Sequence, residues 1–254
     1  MKRLNLSPLT EPATLLRRAA VVLGSVGLTA LYSLLVLLRA LFGKLDRRIV
    51  DKYCREWSTA LLKLVRASLT VRGEVPDFND GRRYIIMSTH ASHYDIPVSF
   101  VSLPGSIRML AKKELFRIPL LGPAMAAAEF PSIDRSNRHN ALRDLDRARA
   151  MMESGIVLWA APEGTRSPDG KLLPFKKGCF HLALDTEAVI VPVAIRGIHQ
   201  VLPARSMRIN LGQPVDVRVG TPIDTAGKSK EDLAEVMEEV RKQLEGLLGD
   251  GEAG

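Results

Sequence analysis

The chain has 254 residues, of which 46% are hydrophobic and 25% are charged, a balance typical of one globular domain with an attachment. Its net charge is +8, but residues 1–72 carry 13 Lys or Arg against 4 Asp or Glu, whereas the remainder carries 23 against 24. Because the basic excess is confined to the N-terminal third, the charge pattern argues against a nucleic-acid-binding module. Two cysteines, Cys54 and Cys179, show no metal-ligand spacing and are too few for a disulfide framework.

The N-terminal third also carries a long apolar run. Residues 19–38 contain no charged side chain, and as a helix they would be about 30 Å long, enough to match a bilayer core. Arg17 and Arg18 precede the run, and Arg39 and Lys44 follow it, so positive charge flanks both ends. This pattern gives no clear orientation for a single transmembrane helix.

Residues 49–68 form a second predicted helix of a different kind. Their apolar side chains, including Tyr53 and Trp57, recur at helical spacing, which is typical of an amphipathic helix lying on an anionic membrane surface. A transmembrane span and a hairpin held in the cytoplasmic leaflet are both possible, and the positive charge at both ends favours the hairpin. We therefore predict that residues 1–70 form a two-helix membrane-embedded segment. It would contact membrane phospholipids at the cytoplasmic face of the inner membrane, integrally or monotopically.

Strand-like and helix-like stretches alternate through the rest of the chain. The strand-like stretches are residues 69–75, 83–88, 107–111, 129–133, 156–160, 189–195 and 207–211. Residues 137–153 and 229–248 have helical periodicity, and Ser229 with Asp232 resembles a capping box at the start of the second. This alternation predicts an α/β fold in which residues 71–254 form one domain, with a central mixed sheet flanked by helices.

The first candidate site follows the predicted strand 83–88. His90 is the side chain best suited to accept a proton near neutral pH, and Asp95 can fix its tautomer. Five positions in a straight helix leave two side chains roughly 140° apart. The two residues can therefore cooperate only if a loop bends into a helix between them. Ser92 is an alternative nucleophile without a Gly-x-Ser-x-Gly elbow, and His93 is an alternative proton acceptor.

The second candidate site follows the predicted strand 156–160. Glu163-Gly164-Thr165-Arg166 places a glycine, which lets a backbone approach an anion, beside an arginine, which can pair two phosphate oxygens. Lys112, Lys113 and Arg135 add cations near other turns. A base together with several cations suggests a hydroxyl acceptor that carries a phosphate.

Several sequence blocks occur in an order typical of one family. They are His90-x4-Asp95 with Ser92 inside it, Lys112-x-Glu114-Leu115 through Pro119-x-x-Gly122, Ile133-Asp134-Arg135, Glu163-Gly164-Thr165-Arg166, and Ile190-Val191-Pro192-Val193-Ala194. Over residues 70–220 the chain resembles the glycerolipid acyltransferases, and most of all the 1-acyl-glycerol-3-phosphate acyltransferases of the bacterial PlsC type. Thr89 departs from the pattern, since many members have Asn before the histidine.

The resemblance implies a role for each block. His90 would be the general base and Asp95 its partner. Arg166 would bind the acceptor phosphate, supported by Lys112 and Arg135, with Lys113 as a substitute for Lys112. The remaining members of the acceptor site would be Glu163, Gly164 and Thr165.

The resemblance also implies the substrates. Lysophosphatidic acid would be the acceptor, and acyl-CoA or acyl carrier protein would be the donor. The product would be phosphatidic acid, formed without a metal, an organic cofactor or a nucleic-acid partner.

Other functions remain open at this point. Lyso-ornithine lipids, other lysophospholipids and glycerol-3-phosphate are alternative acceptors, and a thioesterase would use water instead. A metal-dependent hydrolase with His90, His93 and Asp95 as ligands lacks the usual ligand spacing. A non-catalytic basic module that binds membranes or nucleic acid would account for the pI of 9.7 but not for the motifs.

Overall fold

The computed structural model describes residues 13–133, 138–204, 206 and 208–249. The α-helices are α1 (Leu15–Leu41), α2 (Arg47–Leu64), α3 (Asp95–Ser102), α4 (Leu121–Ala127), α5 (Arg138–Glu153), α6 (Gly178–Asp185), α7 (Ile198–Val201) and α8 (Leu233–Gly249). The strands are β1 (Ser68–Arg72), β2 (Tyr84–Ser88), β3 (Ile107–Met109), β4 (Ala111–Lys112), β5 (Ser132–Ile133), β6 (Val157–Ala160), β7 (Val189–Arg196), β8 (Pro214–Val219) and β9 (Ile223–Asp224). Two 3-10 helices span Lys113–Arg117 and Lys230–Asp232.

The two N-terminal helices pack against each other as an antiparallel hairpin. A β-carbon at Gly24 would lie 3.1 Å from Leu64 Cδ1, so the glycine allows a close approach of α1 to the end of α2. Midway along the pair, Trp57 Nε1 donates a hydrogen bond to Thr29 Oγ1 at 3.1 Å. Within the described residues, α1 is the one helix whose length and composition would allow it to cross a membrane.

The second helix also belongs to the core of the globular part. Leu61, Leu62 and Val65 lie in the same buried cluster as the central strands, and Arg47 forms a two-point ion pair with Glu129. Removing α2 would therefore expose part of the main core. The boundary between a membrane-binding segment and the acyltransferase domain after residue 70 stays a prediction.

The central sheet has the strand order β1-β8-β7-β2-β6-β3, with β9 also pairing with β7. Strands β7, β2, β6 and β3 are parallel, whereas β8 and β9 run antiparallel to β7, which confirms the predicted mixed sheet. One face packs against α2 and α3, and the other packs against α5, α6 and α8, which confirms the flanking helices. Because the four central strands are parallel, their carboxyl ends share one edge of the sheet, where α/β proteins usually place their sites.

Three of the predicted strands differ from the structure. Residues 107–111 are divided into β3 and β4, and β4 pairs with β5 in a separate two-stranded sheet. Of the predicted strand 129–133, only Ser132–Ile133 forms a strand, β5. Glu129 cannot belong to it, because its φ of 61° is part of the turn that ends α4. The predicted strand 207–211 is wrong: its described residues form only an isolated bridge at Asn210.

The two long helices of the globular part have the predicted terminal signals, a glycine after α5 and a capping box before α8. Helix α5 ends at Glu153, and Gly155 follows with a φ of 92°. Ser229 and Asp232 form the expected capping box, although the first turn is a 3-10 helix before α8 begins. Strands β8 and β9 and helices α4, α6 and α7 were not predicted, whereas α3 is the helix into which the loop after His90 was expected to bend.

Candidate active site

The loop after β2 wraps around the buried carboxylate of Asp95, the first residue of α3. Asp95 Oδ2 lies 2.7 Å from His90 Nδ1 and accepts hydrogen bonds from the backbone N–H groups of Ala91 at 2.8 Å and Ser92 at 2.9 Å. The carboxylate is fully buried, so these contacts replace water at Oδ2, whereas Oδ1 has no hydrogen-bond partner in the described part of the chain. The chain bends from loop to helix between His90 and Asp95, as cooperation between them requires.

The imidazole of His90 is held from several sides. Its Nδ1 contacts Asp95, which leaves Nε2 as the free ring nitrogen, and 17% of the side chain is exposed to solvent. The ring of Trp159, from β6, meets it edge to face with centroids 5.8 Å apart. The backbone carbonyl of His90 accepts a hydrogen bond from Ser167 N at 2.7 Å. This arrangement suits a general base whose tautomer is fixed by a carboxylate.

Two hydroxyl side chains in the same loop hold it to distant parts of the fold. The Ser92 hydroxyl is buried; it donates to the Leu202 carbonyl at 2.8 Å and accepts from Tyr94 N at 3.3 Å. It is therefore not available as a nucleophile. Thr89 Oγ1 accepts from Ile195 N at 2.9 Å, so the threonine ties the loop to β7.

The carboxylate of Glu163 lies beneath the loop. It is 1% exposed, and it accepts hydrogen bonds from His90 N at 3.1 Å and from Leu173 N at 2.9 Å. Burial raises the pKa of this carboxyl, and the two backbone donors partly offset the rise. Both oxygens of Glu163 are therefore hydrogen-bonded within the protein, Oε1 to the His90 backbone and Oε2 to the Leu173 backbone.

The residues after Glu163 approach the His90 loop from the neighbouring strand. Gly164 has a φ of 67°, and a β-carbon there would lie 3.1 Å from Lys176 Cγ. Thr165 is exposed and Arg166 is half-buried. The pKa of the His93 imidazole is lowered, first by its partial removal from water and then by the positive charges of Arg166 and His90.

The other predicted cations lie on the segment after β3. Lys112 is about half exposed, and its Nζ lies 3.6 Å from Glu114 Oε2, while Lys113 is half-buried at the start of the 3-10 helix. Arg135 falls outside the described residues. In the described part of the chain, no three His, Cys, Asp or Glu side chains are grouped closely enough to hold a metal ion.

A family model described as Acyltransferase matches residues 68–196, just over half of the chain. The chain belongs to this acyltransferase family. It is 31% identical over 231 residues to a 1-acyl-sn-glycerol-3-phosphate acyltransferase of Cocos nucifera, covering 91% of this chain and 74% of that one. It is also 31% identical over 168 residues to the human 1-acyl-sn-glycerol-3-phosphate acyltransferase alpha, covering 66% of this chain and 59% of the human one.

A solved structure gives the same relationship over nearly the full length. The crystal structure of the 1-acyl-sn-glycerophosphate (LPA) acyltransferase PlsC from Thermotoga maritima superposes with a TM-score of 0.75 at 27% identity. The match covers 92% of this chain and 95% of that one. Since so little of the chain is left unmatched, the matched region extends into the two N-terminal helices.

Several groups in the site of this acyltransferase had no signal in the sequence. The backbone of Leu173 and Leu202 and the N–H of Ser167 hold the loop, but a main-chain group has no sequence pattern of its own. Trp159 was visible only as part of an apolar run before Glu163. Its contact with His90 depends on the parallel pairing of β2 with β6, which puts both strand ends side by side.

Proposed function

We propose that this acyltransferase moves a fatty acyl group from an acyl thioester to the free sn-2 hydroxyl of 1-acyl-glycerol-3-phosphate, giving phosphatidic acid. The observation that carries the proposal is the 2.7 Å contact between His90 Nδ1 and Asp95 Oδ2 in the loop after β2; Arg166 follows β6, the parallel neighbour of β2. The names of the coconut, human and Thermotoga relatives specify the same acceptor.

The chemistry follows from the free nitrogen of His90. Nε2 accepts the hydroxyl proton while the hydroxyl oxygen attacks the thioester carbonyl carbon. As the tetrahedral species collapses, the carbon–sulfur bond breaks, and the thiolate takes the proton back from the imidazolium. Asp95 offsets the transient positive charge on the ring. One ester and one free thiol are formed, and no acyl-enzyme is needed.

The acceptor phosphate binds to the cations of the sequence motifs. Arg166 is the main ligand, with Lys112 and Arg135 in support and Lys113 as a substitute for Lys112. The left-handed Gly164 gives the phosphate access to the backbone beside Thr165. Glu163 acts indirectly: its carboxylate positions the His90 loop, because both of its oxygens are bound to backbone N–H groups.

The membrane supplies the acceptor. Helix α1 exposes many large apolar side chains. In its most apolar stretch of 18 residues, only 17% is buried against the rest of the protein. The α1–α2 hairpin would hold the enzyme against phospholipids at the cytoplasmic face of the inner membrane. There it meets acyl-CoA or acyl carrier protein, both of which present the same thioester.

A panel of acceptors tests this assignment. Detergent-purified protein is incubated with an acyl thioester and with lysophosphatidic acid, glycerol-3-phosphate, a neutral lysophospholipid or a lyso-ornithine lipid, and the product is identified by mass. We expect phosphatidic acid to form fastest. Preferred acylation of an acceptor without phosphate would contradict the proposed role of Arg166.

A further inference from the structure

A loop beside the proposed phosphate site carries apolar side chains that face solvent. Residues 113–120, here called the β4–α4 loop, include the 3-10 helix Lys113–Arg117. Leu115, Ile118 and Leu120 are 38%, 43% and 44% exposed. Among the described residues, the other large hydrophobic side chains of comparable exposure are Val71 and ten on α1 or at its end. Apart from α1, exposed apolar surface is thus concentrated in this loop.

The loop is held rigidly in this form. Gly122 N donates to the Ile118 carbonyl at 2.8 Å, and a β-carbon at Gly122 would lie 2.1 Å from the Phe116 carbonyl oxygen. Leu120 has φ 63° and ψ −53°, and Leu121 N donates a hydrogen bond to the Pro119 carbonyl at 2.7 Å, so Leu120 is the central residue of a classic γ-turn, a conformation that is strained for leucine. Leu120 is exposed, so core packing does not account for a leucine at a position whose backbone suits glycine better. Strain kept at an exposed apolar residue points to a function for that side chain.

The loop lies next to the apolar N-terminal helix. Helix α4 begins directly after Leu120 and packs against α1. Ala124 and Ala128 share a buried cluster with Val36 of α1 and Val50 of α2. The loop therefore packs on the same helix, α4, that contacts the apolar helix α1. Lys112 and Arg117, both exposed, lie at the two ends of the 3-10 helix.

We propose that the β4–α4 loop is a second membrane contact of this enzyme. Leu115, Ile118 and Leu120 enter the boundary between headgroups and acyl chains of an anionic bilayer, while Lys112 and Arg117 meet lipid phosphates. The proposal rests on the proposed function only in taking a membrane lipid as the acceptor. Since Lys112 is also a proposed phosphate ligand, this contact brings the acceptor site to the bilayer surface.

A fluorescent label that reports insertion tests the contact directly. Ile118→Cys is labelled with an environment-sensitive dye, and Ala234→Cys, exposed on α8 at the other face of the sheet, is the control. The native cysteines, half-buried Cys54 and buried Cys179, are first replaced by alanine in both proteins so that only the introduced thiol is labelled. The labelled proteins are mixed with vesicles of phosphatidylcholine and phosphatidylglycerol, with or without lipids brominated in their acyl chains.

We expect the label at position 118 to shift to the blue and to be quenched by the brominated lipids, and the label at 234 to do neither. If both labels stay in water, the proposal is wrong. It is also wrong if the label at 118 becomes shielded without vesicles as protein concentration rises, because the loop would then bind a second copy of the chain.

A kinetic comparison adds a second readout. The double variant Ile118→Gln, Leu120→Gly should fold, because glycine, which has no β-carbon, adopts a positive φ without strain. We expect about a tenfold higher KM for lysophosphatidic acid in vesicles and no change for a short-chain analogue dissolved as monomers. An equal rise for both acceptors would contradict the proposal. If the wild-type protein acylates neither acceptor, the proposed function fails, whereas the fluorescence experiment still decides the membrane contact.

Discussion

The Glu163 carboxylate joins the His90 backbone to a segment ten residues further along its own chain. One oxygen accepts the His90 N–H at 3.1 Å, across 73 residues, and the other accepts the Leu173 N–H at 2.9 Å. Since the carboxylate is 1% exposed, neither donor can exchange it for water. The motif that was expected to bind the acceptor thus also fixes the position of the base.

Glu163→Gln should therefore impair both stability and turnover. An amide has one acceptor oxygen, so one of the two N–H groups loses its partner and faces the NH2 group, at a cost of about 1–3 kcal/mol. We expect a lower Tm and a lower kcat, with KM for the acceptor nearly unchanged. Glu238→Gln, at an exposed position on α8, is the control. Normal kcat in the Glu163 variant would show that the contact does not position the base.

Substitution of the base and of its partner should reduce turnover to different extents. His90→Ala should lower kcat about a thousandfold, within the range that general bases contribute. Asp95→Asn should keep an acceptor for the Ala91 and Ser92 N–H groups while removing the charge that stabilises the imidazolium, so its loss should be smaller. His93→Gln is the matched control. A larger loss in the His93 variant than in the His90 variant would assign the base to His93.

Substitution of Arg166 should act on acceptor binding. Arg166→Ala removes a charged hydrogen-bond donor worth about 1.5–3 kcal/mol, so KM for lysophosphatidic acid should rise roughly tenfold to a hundredfold. Arg166→Lys keeps the charge without the planar fork and should restore part of the affinity. Arg147→Ala, an exposed arginine of α5, provides the comparison. Steady-state kinetics that show an unchanged KM would exclude Arg166 as the phosphate ligand.

The pairing of Arg108 with Asp51 should couple α2 to the sheet. Arg108 is fully buried on β3, and its Nη1 lies 2.7 Å from Asp51 Oδ1. Asp51→Ala leaves the guanidinium buried without its counter-charge, which typically costs about 3–5 kcal/mol of unfolding free energy. The double variant Asp51→Ala, Arg108→Met should recover part of that loss. Denaturant titration in detergent measures both, and Glu56→Ala, which breaks an exposed pair, should cost below about 1 kcal/mol.

The pH dependence of stability should change when His93 is replaced. The pKa of His93 is lowered from its ordinary value of 6.5, so the unfolded chain binds a proton there at a higher pH than the folded protein does. The folded state therefore loses stability from this group as the pH falls below 6.5. His93→Gln should lose less stability than the wild type over that interval, measured as Tm against pH. If Tm changed with pH in the same way in both proteins, the pKa of His93 would not differ between the folded and unfolded states.

The sequence was sufficient for the elements whose signals are local. The predicted helix ending at Glu153, the capping box at Ser229 and the apolar strand around Pro192 are all present, because periodicity and capping residues act over one or two turns. Strand β8 was also readable, since Val215, Val217 and Val219 alternate as buried residues along it.

The remaining features depend on contacts between distant segments. The Ser92 hydroxyl meets the Leu202 carbonyl across 110 residues, and the spacing of neither residue indicates this. The predicted strand 129–133 failed because Arg47 and a left-handed backbone hold Glu129 at the end of α4. Such tertiary contacts override local strand propensity. The roles of the site residues stay predictions that rest on the motifs and on the geometry.

The most direct test of acyl transfer follows the free thiol released from an acyl thioester, with and without lysophosphatidic acid, in the wild-type protein and in His90→Ala. We expect release only when both the acceptor and His90 are present, in equal amounts with phosphatidic acid identified by mass. Release without the acceptor would indicate a thioesterase, and undiminished release in the His90 variant would contradict the proposed base.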